Sequence, residues 1–244
     1  MAYNNREYEV RPVRAERKGN MVINIAIDGP VGAGKSSIAD EVAKRLGILH
    51  LDTGAMYRTL ALHVLRSGVD PADEAAVSAC CERARVNVRY ENGAQRTLLE
   101  GEDVTGLIRT GEVSTAASLV SRWPAVRRRM VRAQQELAAQ ADMLIDGRDI
   151  GTRVLPDAPV KIYLTATPEE RARRRFLQQT AKGDDTPYEQ VLRELNERDR
   201  QDMTRETDPL RQAEDAVLVD STTMTEQQVV DAIVGIVEDV YGKR

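Results

Sequence analysis

A lysine set among glycines is the first feature of this sequence that could do chemistry. In "GPVGAGKSS", Gly29, Gly34, Lys35 and Ser36 stand at the spacing G-x-x-x-x-G-K-S, the pattern of a loop that cradles phosphate. Gly29, Pro30, Val31, Gly32, Ala33, Gly34, Lys35, Ser36 and Ser37 are therefore the expected site for a nucleoside triphosphate. In such a loop the backbone N–H groups wrap the phosphate oxygens, Lys35 reaches the β- and γ-phosphates, and the Ser36 hydroxyl ligates Mg²⁺. A carboxylate follows later. Asp146 ends the apolar run "MLID" and is followed by "GRD". An acid at the C-terminal end of a core strand is where phosphoryl-transfer proteins place the residue associated with Mg²⁺. Ser36 and Asp146 are thus the candidate metal ligands. Arg148 and Asp149 come next, on the edge that faces the ligand crevice of an open α/β sheet. Arginines also cluster, in "RRR" (127 to 129), in "RARRR" (Arg171, Arg173, Arg174, Arg175), and at Arg198 and Arg205, seven apart as on one helix face. The planar guanidinium fork suits phosphate. At least three of these arginines are expected to bind it, the others forming a solvated face.

The elements that would hold these residues follow from local pattern. "MVINIAI" reads as a buried strand before the glycine loop, and "SSIADEVAKRLG" as a helix with Ile38, Val42 and Leu46 on one face and Gly47 as its stop. Four further apolar runs, at 48–51, 143–146, 160–164 and 216–220, read as core strands separated by helices. That alternation predicts an α/β fold with a five-stranded parallel sheet covered by helices on both faces. "TPEE" (167–170) and "TPYE" (186–189) each predict a helix start with Thr as cap and proline at the first helical position. "TEQQ" (225–228) predicts the start of a closing helix. Roughly 90 residues separate Leu51 from Met143, far beyond an ordinary crossover. They hold a helix, "DPADEAAVSACCERA", and a hairpin, "RVNVRY" to "QRTLLEG", turning at Asn92-Gly93. We read 53–135 as an inserted substrate domain, 21–52 with 136–244 as the core, and 1–20 as a disordered leader outside the fold.

Composition excludes several classes. The 244 residues suit one domain carrying an insertion, with 41% hydrophobic and 30% charged residues. A net charge of −4 argues against a general nucleic-acid surface. No apolar stretch approaches the roughly 20 residues that span a bilayer, and the first twenty residues lack the apolar centre of a signal peptide. The two cysteines, Cys80 and Cys81, form no framework or metal spacing, which fits a reducing cytoplasm. With His50 and His63 as the two histidines, a histidine-based metal site or triad is a poor fit. A GTPase would need a guanine-reading N-K-x-D segment, which is missing. A phosphate loop, a substrate insertion and a basic lid segment together suggest a small-molecule kinase.

Longer stretches narrow the class. "LDTGAMYR", "EGEDVTGLIRT", "DGRDIGTRVLPDAPVKIYLTA", "NERDRQD" and "DSTTMT" resemble bacterial cytidylate kinase, the CMP kinase of the nucleoside monophosphate kinase group. The resemblance runs in unbroken order from about Ile23 to the C-terminus. It implies a P-loop kinase core, a monophosphate-binding insertion and a mobile lid near 171–186. It implies transfer of the γ-phosphoryl group of MgATP to CMP or dCMP. It implies acceptor-phosphate contacts at Thr53, Arg58, Arg148 and Arg205, contacts around cytosine at Ser118, Arg127 and Asp149, and sugar contacts at Arg198 and Asp202. Arg174 matches the lid arginine near the ATP phosphates, so Lys35, Arg148, Arg174 and Arg205 are the expected catalytic set. Where the family often has Ser, Thr53 keeps the hydroxyl. The expected partners are ATP and CMP or dCMP, with no nucleic acid and no membrane, and the expected state is a monomer. Another small-molecule kinase acting on UMP, AMP or shikimate, a non-catalytic ATP-binding regulator, and a nucleic-acid-dependent ATPase are the alternatives.

Overall fold

The computed structural model describes residues 22–243; the leader expected at 1–20 lies outside them. The glycine loop sits between β1 (Asn24–Asp28) and α1 (Lys35–Leu46). Strand β1 is buried along nearly its whole length. Helix α1 buries Ile38, Val42 and Leu46, and ends where Gly47 turns left-handed at φ 64°, a conformation that a residue with a Cβ disfavours. Four more strands, β2 (Leu49–Asp52), β6 (Met143–Gly147), β7 (Val160–Thr165) and β8 (Val217–Asp220), join β1 in one parallel five-stranded sheet of order β2-β6-β1-β7-β8. Ile25 lies opposite Val160, and Ile162 opposite Val217. The closing helix α8 (Glu226–Tyr241) packs on α1.

Backbone contacts divide the chain into two compact units, one built on Leu49–Met143 and the other on Asn24–Ile48 with Leu144–Arg244. The first contains α2 (Thr53–Arg66), α3 (Glu74–Arg83), α4 (Gly111–Val120) and α5 (Pro124–Ala138). It also contains a small antiparallel sheet of β3 (Val86–Glu91), β4 (Ala94–Leu99) and β5 (Glu102–Asp103). Asn92 and Gly93 have φ of 52° and 80°, the pair of positive values that a two-residue hairpin turn of matching twist requires. The short third strand was not expected from the sequence. Helix α2 packs against α4.

In the second unit α6 (Pro168–Thr180) and α7 (Tyr188–Thr204) pack on each other through Ala172, Val191 and Leu195, with Val31, Phe176, Tyr188 and Leu192 around them. Phe176 and Tyr188 meet edge to face at 6.1 Å. The segment 171–186, for which the resemblance implies a mobile lid, is anchored over its first third, because Ala172 and Phe176 reach an apolar cluster made with α7. The capping signals fare unequally. Thr225 forms the full reciprocal box with Gln228. Thr167 accepts from Glu170 N–H. At "TPYE", however, the Thr186 hydroxyl turns to Asp184 at 2.6 Å, and α7 starts one residue later with no side-chain cap.

Candidate functional site

The glycine loop departs from ordinary backbone at Gly29 (φ 150°), Gly32 (φ 77°) and Gly34 (φ 84°). A Cβ on Gly29 would lie 2.0 Å from the Leu164 carbonyl oxygen of β7, so that position tolerates no side chain. Helix α1 begins with Gly34 as its cap, no side-chain cap and no acid in its first turn. Its N-terminal N–H groups and the positive end of its dipole are thus left for an anion.

Lys35 is buried, and its Nζ donates to the Gly29 carbonyl at 2.7 Å and the Pro30 carbonyl at 2.8 Å. Burial, reinforced by Arg148, lowers its pKa from 10.5 to about 7, against the pull of Asp146 and Asp28. The Ser36 hydroxyl donates to Asp146 Oδ2 at 3.0 Å, which joins the end of β6 to the start of α1. These two oxygens are hard donors. Among the described residues no group of three or more His, Cys, Asp or Glu side chains could hold a metal ion. A divalent cation here would complete its shell with phosphate oxygens and water, the habit of Mg²⁺.

Directly after β6 lies a buried ion network. Arg148 Nε donates to Asp202 Oδ2 at 2.9 Å. Arg205 lies 3.8 Å from the other Asp202 oxygen and 3.5 Å from Asp149, and its Nε donates to the Asp208 carbonyl at 2.7 Å. Burial opposes both charges of the Arg148–Asp202 pair. Their mutual attraction wins, raising Arg148 and lowering Asp202. Arg205 is not on the helix, as its spacing from Arg198 suggested. It caps the C-terminal end of α7 in extended conformation, which turns it toward Asp149. The turn itself is held from below. Buried Asp28, at the end of β1, accepts N–H groups of Ile150 at 2.8 Å and Gly151 at 2.7 Å, and these residues open a single π-helical turn, Ile150–Val154. Burial raises the Asp28 carboxyl from 3.8 to about 7, although the two N–H groups work against that.

The arginine cluster of α6 divides by role. Arg171 is buried, with Nη1 at 2.5 Å from Asp199 and Nε donating to the Ala166 carbonyl. It is an internal cation, and so does not belong to the solvated face expected of the arginines outside the phosphate set. Arg173 pairs with Glu170 at the surface. Arg174 also meets Glu170, at 2.8 Å, and donates to the hydroxyl and carbonyl of Ser221 beyond β8.

The other unit carries its own polar cluster at the start of α2. Asp52 caps that helix by accepting Ala55 N–H at 2.8 Å. Its second oxygen takes Arg58 at 2.8 Å and Arg109 at 3.4 Å. Thr53, the first helical residue, is buried. Arg58 Nε is buried without a partner, a donor positioned for an acceptor. Arg127, on α5, is fully buried beneath the Tyr57 ring at 5.7 Å and donates to the Ser121 carbonyl. Ser118 lies half-buried on α4.

The family model for cytidylate kinase matches residues 25–239. This chain belongs to the cytidylate kinase family. It is 51% identical over 211 residues to a cytidylate kinase of Caldicellulosiruptor bescii, spanning 86% of this chain and 93% of that protein. It is 52% identical over 208 residues to one of Mycobacterium avium, spanning 85% and 91%. Of the residues that resemblance to cytidylate kinase assigns to the acceptor, Arg148, Asp149, Asp202 and Arg205 form one network, and Arg198 adds its charge near Asp202. Thr53, Arg58, Ser118 and Arg127 belong to the other unit. Asp28, Asp52, Arg109 and Asp199 hold these groups in place and were not singled out from the sequence. Asp28 stands beside the glycine motif and Asp52 just before a helix start, which are local signals. Asp199 lies inside the quoted stretch "NERDRQD", but only the residues on either side of it, Arg198 and Asp202, were given a role.

Proposed function

We propose that this protein transfers the γ-phosphoryl group of ATP, bound with Mg²⁺, to CMP or dCMP, giving ADP and CDP or dCDP. The observation that carries the reading is the convergence, within one unit, of the glycine loop with Lys35, the Ser36–Asp146 pair and the Arg148–Asp202–Arg205 network. An acceptor phosphate oxygen attacks the γ-phosphorus, and the bond to the bridging oxygen of ADP breaks. The acceptor is already a dianion near neutral pH, so no base has to remove a proton. Catalysis is then positioning and charge neutralisation, which suits a site of lysine and arginines without histidine. Lys35 would exchange its two loop carbonyls for phosphate oxygens. Ser36 and Asp146 would hold Mg²⁺, which when bound draws charge from the phosphate oxygens.

On the acceptor side the reading assigns Arg148 and Arg205, with Thr53 and Arg58, to the phosphate, Arg198 and Asp202 to the sugar, and Ser118, Arg127 and Asp149 to the base. A carboxylate accepts from the exocyclic amine of cytosine and repels the carbonyl of uracil, so Asp149 discriminates between them. Residues 53–135 are proposed as the acceptor-binding insertion and the outer part of 171–186 as a lid over the donor, with Arg174, at the root of the same segment, reaching the donor's phosphates. A cytoplasmic monomer acting on free nucleotides, apart from nucleic acid and membrane, completes the proposal. Among the described residues no helix is long and apolar enough to cross a membrane.

An ADP-release assay over CMP, dCMP, UMP, AMP and shikimate, with and without single-stranded DNA, tests it. The proposal expects the largest specificity constant for CMP or dCMP and no response to DNA. Preference for another acceptor, or DNA-dependent turnover, overturns it.

A further inference from the structure

Both main-chain polar groups of Val31, in the middle of the glycine loop, are taken by the α6–α7 hairpin. Its N–H donates to Asp199 Oδ1 at 3.2 Å, and its carbonyl accepts from Arg171 Nη1 at 2.9 Å. The same Nη1 reaches Asp199 Oδ2 at 2.5 Å. The two side chains are 5% and 9% exposed. The next residue has no slack either, since a Cβ on Gly32 would lie 3.2 Å from Leu195 Cδ1 and 3.3 Å from Arg171 Cβ. Upstream, Lys35 holds the carbonyls of Gly29 and Pro30. The segment 29–32 is thus fixed on one side by Lys35 and on the other by a buried ion pair from two helices.

We propose that Arg171 and Asp199 are positioning residues for the donor's phosphates. The inference rests on the reading that this loop holds ATP. A glycine-rich loop has many conformations to lose when it wraps an anion. A clamp on Val31 removes most of them during folding, so the N–H groups after it already point at the ligand. Neither side chain needs to touch ATP. The clamp also ties the loop to the hairpin that carries Arg174, so the phosphate cradle and that arginine share one rigid root.

The test separates positioning from stability. Removing one member of a buried ion pair leaves a bare charge, whereas replacing both by apolar residues of similar size is often close to neutral for folding. Arg171→Met combined with Asp199→Leu therefore removes the clamp while keeping the packing. We expect this variant to fold and to bind ATP about ten- to hundredfold more weakly, the cost of ordering on binding a loop that was fixed beforehand. Binding of CMP should fall less, by no more than about threefold, because the clamp's hydrogen bonds go to Val31 of the donor loop, while Arg198 and Asp202 only share α7 with Asp199. Asp199→Asn keeps an acceptor for Val31 N–H and should fall between the double variant and wild type. Direct titration of ATP and CMP, with a thermal melt of each protein, gives the readout. ATP binding within about twofold of wild type in the folded double variant overturns the proposal. So do equal losses for ATP and CMP, which mark general loosening. If the double variant does not fold, Asp199→Asn decides by the same criteria. A wild type that binds ATP but does not phosphorylate CMP sinks the acceptor assignment and leaves the clamp standing. A wild type that binds no ATP sinks both.

Discussion

At the root of the α6–α7 hairpin, Ala172, Val191 and Leu195 are buried and Arg171 is paired inside the protein. Toward its tip, Leu177 is 52% exposed, and Lys182, Gly183 and Asp185 stand in solvent. On α6 itself the start, "PEERARRR", is as rich in charge and as poor in large apolar residues as the tip that follows. What separates them is whether a second helix and the glycine loop lie within reach. Ala172 and Arg171 meet α7 and Val31, whereas residues 181–186 bond to one another and to the last turn of α6, as Asp184 does to Thr186 and Gln179. A segment with few buried contacts opens at low cost. Nucleotide-linked motion is therefore expected at the tip, over a root that stays closed.

The largest effect is expected at Lys35, which holds the other side of the loop that the root grips. Lys35→Ala should lower turnover by 10² or more, the usual cost of one preorganised charge contact, while the thermal melt stays cooperative. Steady-state kinetics with CMP check this, and a loss of less than about tenfold would free Lys35 from its assigned role.

Truncation sharpens the root against the tip. Leu195→Ala removes a buried side chain from the hairpin's cluster and should cost about 2–5 kcal/mol. Leu177→Ala, on the exposed side of the same hairpin, should change stability by no more than about 0.5 kcal/mol. Urea unfolding of the two variants gives the difference, and equal costs would erase the distinction.

The fixed side of the molecule also contains Asp28, whose carboxyl is raised to about 7 by burial. Between about pH 4 and 7 the folded protein holds this proton and the unfolded chain does not. Its contribution to stability is full below about pH 4 and is lost as pH rises through 7. Asp28→Asn has no such slope. The stability of the variant relative to wild type should therefore climb by up to a few kcal/mol over that range. Unfolding midpoints measured in steps of pH would show it, and a difference that does not vary with pH would mean that the carboxylate stays ionised throughout.

The smallest effect is at the tip itself. Amides of 181–186 should exchange with solvent quickly in the free protein and slow when ATP and CMP, or a bisubstrate analogue, are bound. The Val31 amide should exchange slowly in both states. Rapid exchange at Val31, or a tip unmoved by nucleotides, would reverse the assignment of rigid and mobile ends.

Local signals made much of this legible. The strand, glycine loop and helix around Lys35, the Asn92-Gly93 turn and the Thr225 box each depend on neighbours a few residues away, and each forms. The five core strands were readable as apolar runs within about three residues of their observed ends. The misses are decided at long range. Arg171 and Arg174 are the same residue type three positions apart, and only Asp199, on another helix, makes the first an internal cation. The π-helical turn at Ile150–Val154 has no pattern of its own, because it forms where Asp28 grips two N–H groups 122 and 123 residues away. Thr186 had the right neighbours for a cap, and Asp184 claimed its hydroxyl first. For the site, "GPVGAGKS" and "DGRD" were visible as motifs, while the carboxylates that hold them, Asp199 and Asp28, gave no local sign of that role.

The clamp on Val31 also bears on the order in which the chain is completed. Val31 leaves the ribosome early, and Asp199 follows 168 residues later. At synthesis rates of about 5–20 residues per second, that gap lasts roughly 8 to 34 s. Throughout it the nascent chain carries the whole phosphate motif without the pair that shapes it. Strand β7, whose Leu164 carbonyl abuts Gly29, also arrives late. The earliest-made part of the proposed donor site is therefore among the last to be finished, and on the proposed role of the clamp a nascent chain binds ATP tightly only after α7 has emerged.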